Sequence, residues 1–168
     1  NSCSVIRDTG RYDDALFDIR QGKLRIFSTQ LTGIPVNDYN MQFRSLARTS
    51  CLFRVGENGT LRLTNVSGFT PYDGMAYGQP MVISEGNLQI DGGYYCNMID
   101  SFSSSGSTRG AAILIDGGTA VINGGRYEGT ACGIAVRNDA QLTVNNGYIG
   151  SLDTGLYIGD NASAVIHD

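Results

Sequence analysis

Apolar residues recur along this chain as pairs separated by a single position, and the pairs themselves come back in order. One series is Phe17/Ile19, Phe53/Val55, Met81/Ile83, Ile113/Ile115, Ile134/Val136 and Leu156/Ile158; a second is Leu24/Ile26, Leu61/Leu63, Leu88/Ile90, Ala120/Ile122, Leu142/Val144 and Ala164/Ile166. A period of two predicts strands with one face buried. Each first pair is joined to its second by a polar turn: RQGK, GENGT, SEGN, DGGT, RNDAQ and GDNAS, which makes six units. Behind the second pair stands a tight corner, TN at 64–65, DG at 91–92, NG at 123–124 and NN at 145–146. Its second residue (Asn65, Gly92, Gly124, Asn146) is expected to take the left-handed backbone that a sharp bend requires. A third short strand follows, with Tyr95, Tyr127 and Ile149 pointing inward.

Three short strands per unit, with a shortest period of 22 residues from Ile122 to Val144 and again to Ile166, predict an all-β chain. The predicted architecture is a right-handed, single-stranded parallel β-helix of about six coils, three short strands per coil, over residues 15–168. Residues 1–14 are expected to be an N-terminal cap or linker. Coils stacked at ~4.8 Å align the inward residues in columns. A leucine-rich repeat would need a helical return segment, and no 3.6-residue period is present. Successive second pairs are 37, 27, 32, 22 and 22 residues apart. The excess is assigned to three loops after the third strand, 35–50, 70–80 and 97–111, expected to lie side by side along one edge and to carry a binding surface. The plainer alternative is tolerated decoration, since long surface loops cost little. A start at Asn1 and a stop at VIHD, just after the second strand of a unit, lead to the expectation of a fragment of a longer chain.

Composition narrows the class without changing the fold. A length of 168 residues fits one domain, and 23 Gly, 3 Pro and no Trp, with 41% hydrophobic and 17% charged residues, fit neither disorder nor a helical bundle. A net charge of −4 argues against a nucleic-acid partner, and the absence of a long apolar run against membrane insertion. No signal-like segment opens the chain. Cys3, Cys51, Cys96 and Cys132 show neither CxxC spacing nor a His neighbour, so no metal site is expected and free thiols are preferred to disulfides.

The Asn-containing corner, with Asn123 over Asn145 as a two-rung asparagine ladder, resembles the pectate-lyase-like β-helix superfamily over residues 15–168. Irregular coils, lateral loops and the acidic balance make the chain most similar to bacteriophage tailspike and tail-fibre proteins. The portion INGGRYEG…GIAVRNDAQLTVNNGYIG…GLYIGDNASAVI is equally similar to repeats of bacterial surface proteins. The resemblance implies a homotrimer without cofactor on the virion tail, with bacterial surface polysaccharide as partner; a secreted or cell-surface location is the alternative.

Enzymes of this fold place acids on the outward face of the first strand. Here that face reads Asp18, Arg54, Val82, Leu114, Ala135 and Tyr157, with Arg20, Gly56, Ser84, Asp116, Arg137 and Gly159 one step on. No pair of carboxyls stands at glycosidase spacing. Asp18 with Arg54, and Asp116 with Arg137, are expected as surface ion pairs worth about 0–1 kcal/mol. Asp38, Asp73 and Asp100 occupy the three loops and are the weak catalytic candidates, solvated loop acids being the commoner case. His167 at the end of the chain is expected to be surface, and Glu57 and Glu85 solvated turn residues. Ligand binding has better candidates. Tyr94, Arg126 and Tyr148 fall at one outward position of the third strand in consecutive units, an Arg between two rings, and the loops add Tyr39, Phe43, Tyr72, Tyr77 and Phe102. The apolar stripe Val82, Leu114, Ala135 and Tyr157 needs cover from a loop or a neighbouring chain. The NGT, NVS and NAS sequons read as turn sequence, and the Gly-rich DGG and INGG lack the helix and Lys of a phosphate loop. The expected function is a tailspike or tail-fibre module that recognises a bacterial surface glycan. The alternatives are a polysaccharide lyase or glycoside hydrolase, and a structural surface or filament protein.

Overall fold

The computed structural model describes residues 3–7, 15–27, 41–45, 51–69, 80–97, 110–159 and 161–167. Within them every regular element is a β-strand and every strand pairing is parallel. The chain is an all-β, solenoid-like arrangement in which a strand pairs with strands one repeat away rather than with its sequence neighbour. Leu142, for example, pairs with Ala120 on one side and Ala164 on the other, 22 residues off in each direction.

The pairings fall into three ladders. The first joins the N-terminal part of β2 (Ala15–Phe27) to β4 (Cys51–Phe69), β5 (Val82–Ser84), β7 (Ala111–Ile115), β9 (Cys132–Val136) and β12 (Thr154–Ile158). The second joins the C-terminal part of β2 to the middle of β4, to β6 (Asn87–Asn97) and β8 (Thr119–Gly129), and then to β10 (Gln141–Val144) and β13 (Ser163–Ile166). In the third, β1 (Cys3–Arg7) and β3 (Met41–Ser45) lead into the C-terminal parts of β4, β6 and β8 and end at β11 (Tyr148–Ser151).

The apolar pairs of the second series all fall in register, Leu24 with Leu61, Leu88, Ala120, Leu142 and Ala164, and Ile26 with Leu63, Ile90, Ile122, Val144 and Ile166. In the third ladder Tyr95, Tyr127 and Ile149 share one register position. The Tyr95 and Tyr127 rings, both fully buried, stack at 5.3 Å between centroids and 3° between planes. The Tyr127 hydroxyl donates to the Gly124 carbonyl at 2.7 Å, which satisfies its polar end. Phe17 and Phe53 stack in the first ladder at 5.3 Å and 9°.

The first ladder departs from expectation at its third copy. Val82 and Ser84, not Met81 and Ile83, align with Phe53 and Val55, and Ile83 turns outward. PMVIS is apolar at consecutive positions, so its two phases cannot be told apart by period, and a slip of one residue exchanges the faces. Burial on the outer side makes the exchange favourable. Ala111, Leu114, Cys132 and Ala135 form a second buried cluster there, with Ile83 and Tyr157 packed on it. β7 and β9, AAILI and CGIAV, are buried at every residue, as a strand covered on both faces requires. The outward stripe is therefore Ile83, Leu114, Ala135 and Tyr157, and its centre is covered within one chain rather than left for a neighbour.

Two turn assignments also change. Asn65 and Gly92 take the left-handed backbone as expected (φ 51° and 87°), but in the next two copies that role passes to Gly125 and Gly147, one residue after Gly124 and Asn146. Gly93, Gly125 and Gly147 immediately precede the third strand, and a Cβ at Gly93 would collide with the Val66 carbonyl of the copy beneath. The 35–50 segment is not one loop, because it contains β3, which pairs with both β1 and β4. The chain thus leaves the second ladder at Phe27 and enters the third at Met41, so part of the 35–50 segment falls between these two ladders rather than after the third strand.

Candidate functional site

Alternation along the third ladder turns Tyr95, Tyr127 and Ile149 into the core and leaves their neighbours Tyr94, Arg126 and Tyr148 outside, aligned in register on β6, β8 and β11. The structure brings these three predicted residues together. The Arg126 guanidinium carbon lies 5.8 Å from the Tyr94 ring centroid and 4.8 Å from that of Tyr148, so the cation sits between two π-faces. Glu128, two residues on and therefore on the same face, completes the group. It accepts from Tyr94 Oη at 2.6 Å and from an Arg126 terminal nitrogen at 2.5 Å. Glu128 carries no apolar periodicity and was not foreseen; the signal was its even spacing from Arg126.

The electrostatics follow from those contacts. Burial works to raise the Glu128 pKa, but the hydrogen bonds from Arg126 and Tyr94 outweigh it and hold the carboxyl below its ordinary value. The bond to Glu128 raises the pKa of Arg126. Burial, with hydrogen bonds to Cys96 and Glu128, pushes the Tyr94 phenol far above its ordinary value, so it stays a donor. Burial likewise raises the Cys96 thiol beside it.

Tyr148 is the exposed end of the group, 54% accessible. Its ring folds back along the strand over Gly150: a Cβ at that glycine would lie 2.7 Å from Tyr148 Cε1 and 2.9 Å from its hydroxyl. Any larger residue at 150 would lift the ring off the sheet. The result is a flat aromatic face beside a guanidinium held by a carboxylate. Such a surface can stack a planar or ring-shaped ligand and offer hydrogen bonds at its edge. Among the described residues Glu128 is the acid of this group, and it is engaged with Arg126 and Tyr94.

The remaining candidates are placed as follows. Asp38, Asp73, Asp100, Tyr39, Tyr72, Tyr77 and Phe102 lie outside the described residues. Phe43 is on β3, paired with Val5 and Gly68. His167 is exposed after β13. Asp116 and Arg137 form the expected pair, bidentate at 2.6 and 2.9 Å. Asp18 does not pair with Arg54. It binds Arg20 on its own strand at 2.8 Å, while Arg54 Nε is enclosed with no acceptor, close to the Cys51 thiol. The exposed Arg20 side chain reaches back along the strand to Asp18, whereas Arg54 is half-buried with its Nε out of water. Cys51, Cys96 and Cys132 are free thiols. Among the described residues no group of three or more His, Cys, Asp and Glu is arranged to hold a metal ion, and no helix is long and apolar enough to cross a membrane.

The corner between the second and third ladders holds the other polar cluster. Asn145 Nδ2 donates to Asn123 Oδ1 at 2.7 Å, forming the two-rung asparagine ladder, and Asn123 Nδ2 continues it onto Asp91 Oδ1 at 2.5 Å. Arg62 and Gln89 also donate to Asp91, at 2.7 and 2.9 Å. Burial works to raise its pKa, and these three donors together bring it below the ordinary carboxylate value. Thr64 Oγ1 adds a longer bond to Asp91 at 3.4 Å, and a carboxylate so surrounded by donors marks this cluster as a corner clamp.

Compared with known proteins, the chain matches no family model, no curated protein and no solved structure.

Proposed function

We propose that the three ladders are the faces of a right-handed, single-stranded parallel β-helix of about six coils. On this reading the chain is the receptor-recognition module of a bacteriophage tailspike or tail fibre, acting as a homotrimer on the virion tail to bind a bacterial surface glycan. The observation that carries the binding role is the exposed Tyr148 ring lying flat over Gly150 with Arg126 at 4.8 Å. A sugar presents an apolar C–H face to such a ring and hydroxyls to the neighbouring guanidinium and carboxylate.

The test combines light scattering with titration of a panel of bacterial surface polysaccharides, each also followed for chain shortening. The expected result is a trimer that binds one polysaccharide without cutting it, with affinity falling about tenfold in Tyr148→Ala. Cleavage would replace this reading with the polysaccharide-degrading enzyme. Indifference of every polysaccharide to Tyr148→Ala would remove the third ladder as the site, and end-to-end polymers inert to all glycans would favour a filament protein.

A further inference from the structure

The second ladder carries a different outer face, set apart from the Tyr148 surface by the Asp91–Asn123–Asn145 corner. Two outward rows cross it in register. Lys23, Thr60, Asn87 and Thr119 form one, and Arg25, Arg62, Gln89 and Val121 the other. Together they line an open groove of about 240 Å³ that runs over four successive strands, a length of about 14 Å at the usual strand spacing. Arg25, Arg62 and the exposed side of Phe27 continue it into an adjoining hollow.

Charge is what distinguishes this groove. The chain carries a net −4, yet Lys23, Arg25 and Arg62 meet on two neighbouring strands where, among the described residues, Asp91 is the one acid that offsets the charge. Lys23 and Arg25 are exposed and have no carboxylate partner among the described residues. Arg62 is held at one nitrogen by Asp91 at 2.7 Å, which fixes its direction and leaves its remaining donors free. Further along, the floor is neutral and polar. Thr119 Oγ1 donates to Asn87 Oδ1 at 2.8 Å, which leaves the Asn87 amide nitrogen as a donor; Gln89 gives its nitrogen to Asp91, which leaves its carbonyl oxygen as an acceptor. Phe27, 75% exposed, supplies a bare aromatic face beside Arg25.

We infer that this groove is a second binding site, for an oligosaccharide that carries carboxylate groups. Arginine and lysine take the carboxylate, the amide and hydroxyl rows take the sugar hydroxyls, and Phe27 takes a ring face. A nucleic acid is disfavoured by the same inventory. Its phosphates need a long run of cations, whereas the described residues of this face offer three on a chain of net negative charge. The inference does not depend on the Tyr148 surface, which lies on another ladder.

Calorimetric titration of the full chain with a galacturonic acid hexamer, beside neutral maltohexaose, tests it. The acidic hexamer is expected to bind while the neutral one does not, and to bind more weakly as NaCl is raised from about 50 to about 300 mM. The double variant Lys23→Gln/Arg25→Gln, at two exposed positions, is expected to weaken binding about tenfold or more. Phe27→Ala should weaken it several-fold and Tyr148→Ala not at all. Circular dichroism of each variant confirms that the fold is kept. The proposal is overturned if the acidic hexamer does not bind, if maltohexaose binds equally well, if the double variant retains full affinity, or if a single-stranded oligonucleotide binds more tightly than the hexamer. Loss of binding in Tyr148→Ala with none in the double variant would assign the ligand to the third ladder instead.

Discussion

Gly86→Ala isolates the closeness with which successive turns stack. Gly86 ends the turn before β6, and its backbone has no positive φ, so alanine there carries no conformational penalty of its own. The obstacle is the turn of the previous copy. An added Cβ would overlap the Gly56 carbonyl oxygen and lie 2.5 Å from that of Gly59 and 3.3 Å from that of Glu57. These are backbone atoms, and the turn is pinned on either side by Glu85 N–H to the Val55 carbonyl at 2.7 Å and Thr119 N–H to the Gly86 carbonyl at 3.0 Å. Relief must come from separating two copies. Overpacking of this kind costs about 1–3 kcal/mol, and loss of one inter-turn hydrogen bond adds about 1 kcal/mol, so a total near 3 kcal/mol is expected. With a urea m-value of about 2 kcal/mol/M, the midpoint should fall by about 1.5 M. Two controls separate sterics from glycine chemistry. Gly124→Ala meets nothing nearer than 3.8 Å and has no positive φ, so it should be neutral or stabilising by up to about 1 kcal/mol. Gly22→Ala has open space but φ +83°, so it should lose about 1–2 kcal/mol through strain alone. A Gly86→Ala midpoint within error of Gly124→Ala would refute the close-stacking argument.

The stacked tyrosines give a second test: Tyr127→Ala should cost about 3–5 kcal/mol in urea unfolding, and Tyr127→Phe about 1 kcal/mol by leaving the Gly124 carbonyl without its donor. Asp91 and Glu128 have pKa values lowered below the ordinary 3.8 and 4.5, so at acid pH the native state binds fewer protons than the unfolded chain. Their contribution should be complete above about pH 5 and fade as pH falls through those values, and Asp91→Asn should flatten that acid limb of a stability–pH curve. Thiol labelling of the native protein at pH 8, read by mass spectrometry, should modify half-buried Cys96 before Cys51 and Cys132. Burial raises all three thiol pKa values, Cys132 to about 11 with the nearby Asp153 charge, so the order follows access, and Cys96 is the one of the three that is not fully buried. Gly150→Val should displace the Tyr148 ring and lower polysaccharide affinity about as much as Tyr148→Ala, with little change in midpoint at this half-exposed position.

The sequence alone determined the repeat: which residues face inward in the second and third strands, the polar turns between them, the asparagine ladder, and the alignment of Tyr94, Arg126 and Tyr148. These are legible because a half-buried strand enforces a period of two and parallel stacking brings the same position of each copy into register, so local pattern and long-range contact carry the same information. The first ladder was harder for the converse reason. Where both faces are buried, as at Val82–Ser84, AAILI and CGIAV, polar residues no longer mark the outer face, and only the packing of Ile83 on Leu114 and Ala135 decides the phase. The split of 35–50 by β3 was hidden because MQFRS pairs with segments about 25 and 38 residues away, beyond any local signal. Glu128, the choice of Arg20 over Arg54 as partner of Asp18, and the cation groove on the second ladder depend on where long side chains reach across copies. Side-chain reach in three dimensions is fixed by the tertiary structure, which the period of the sequence does not encode.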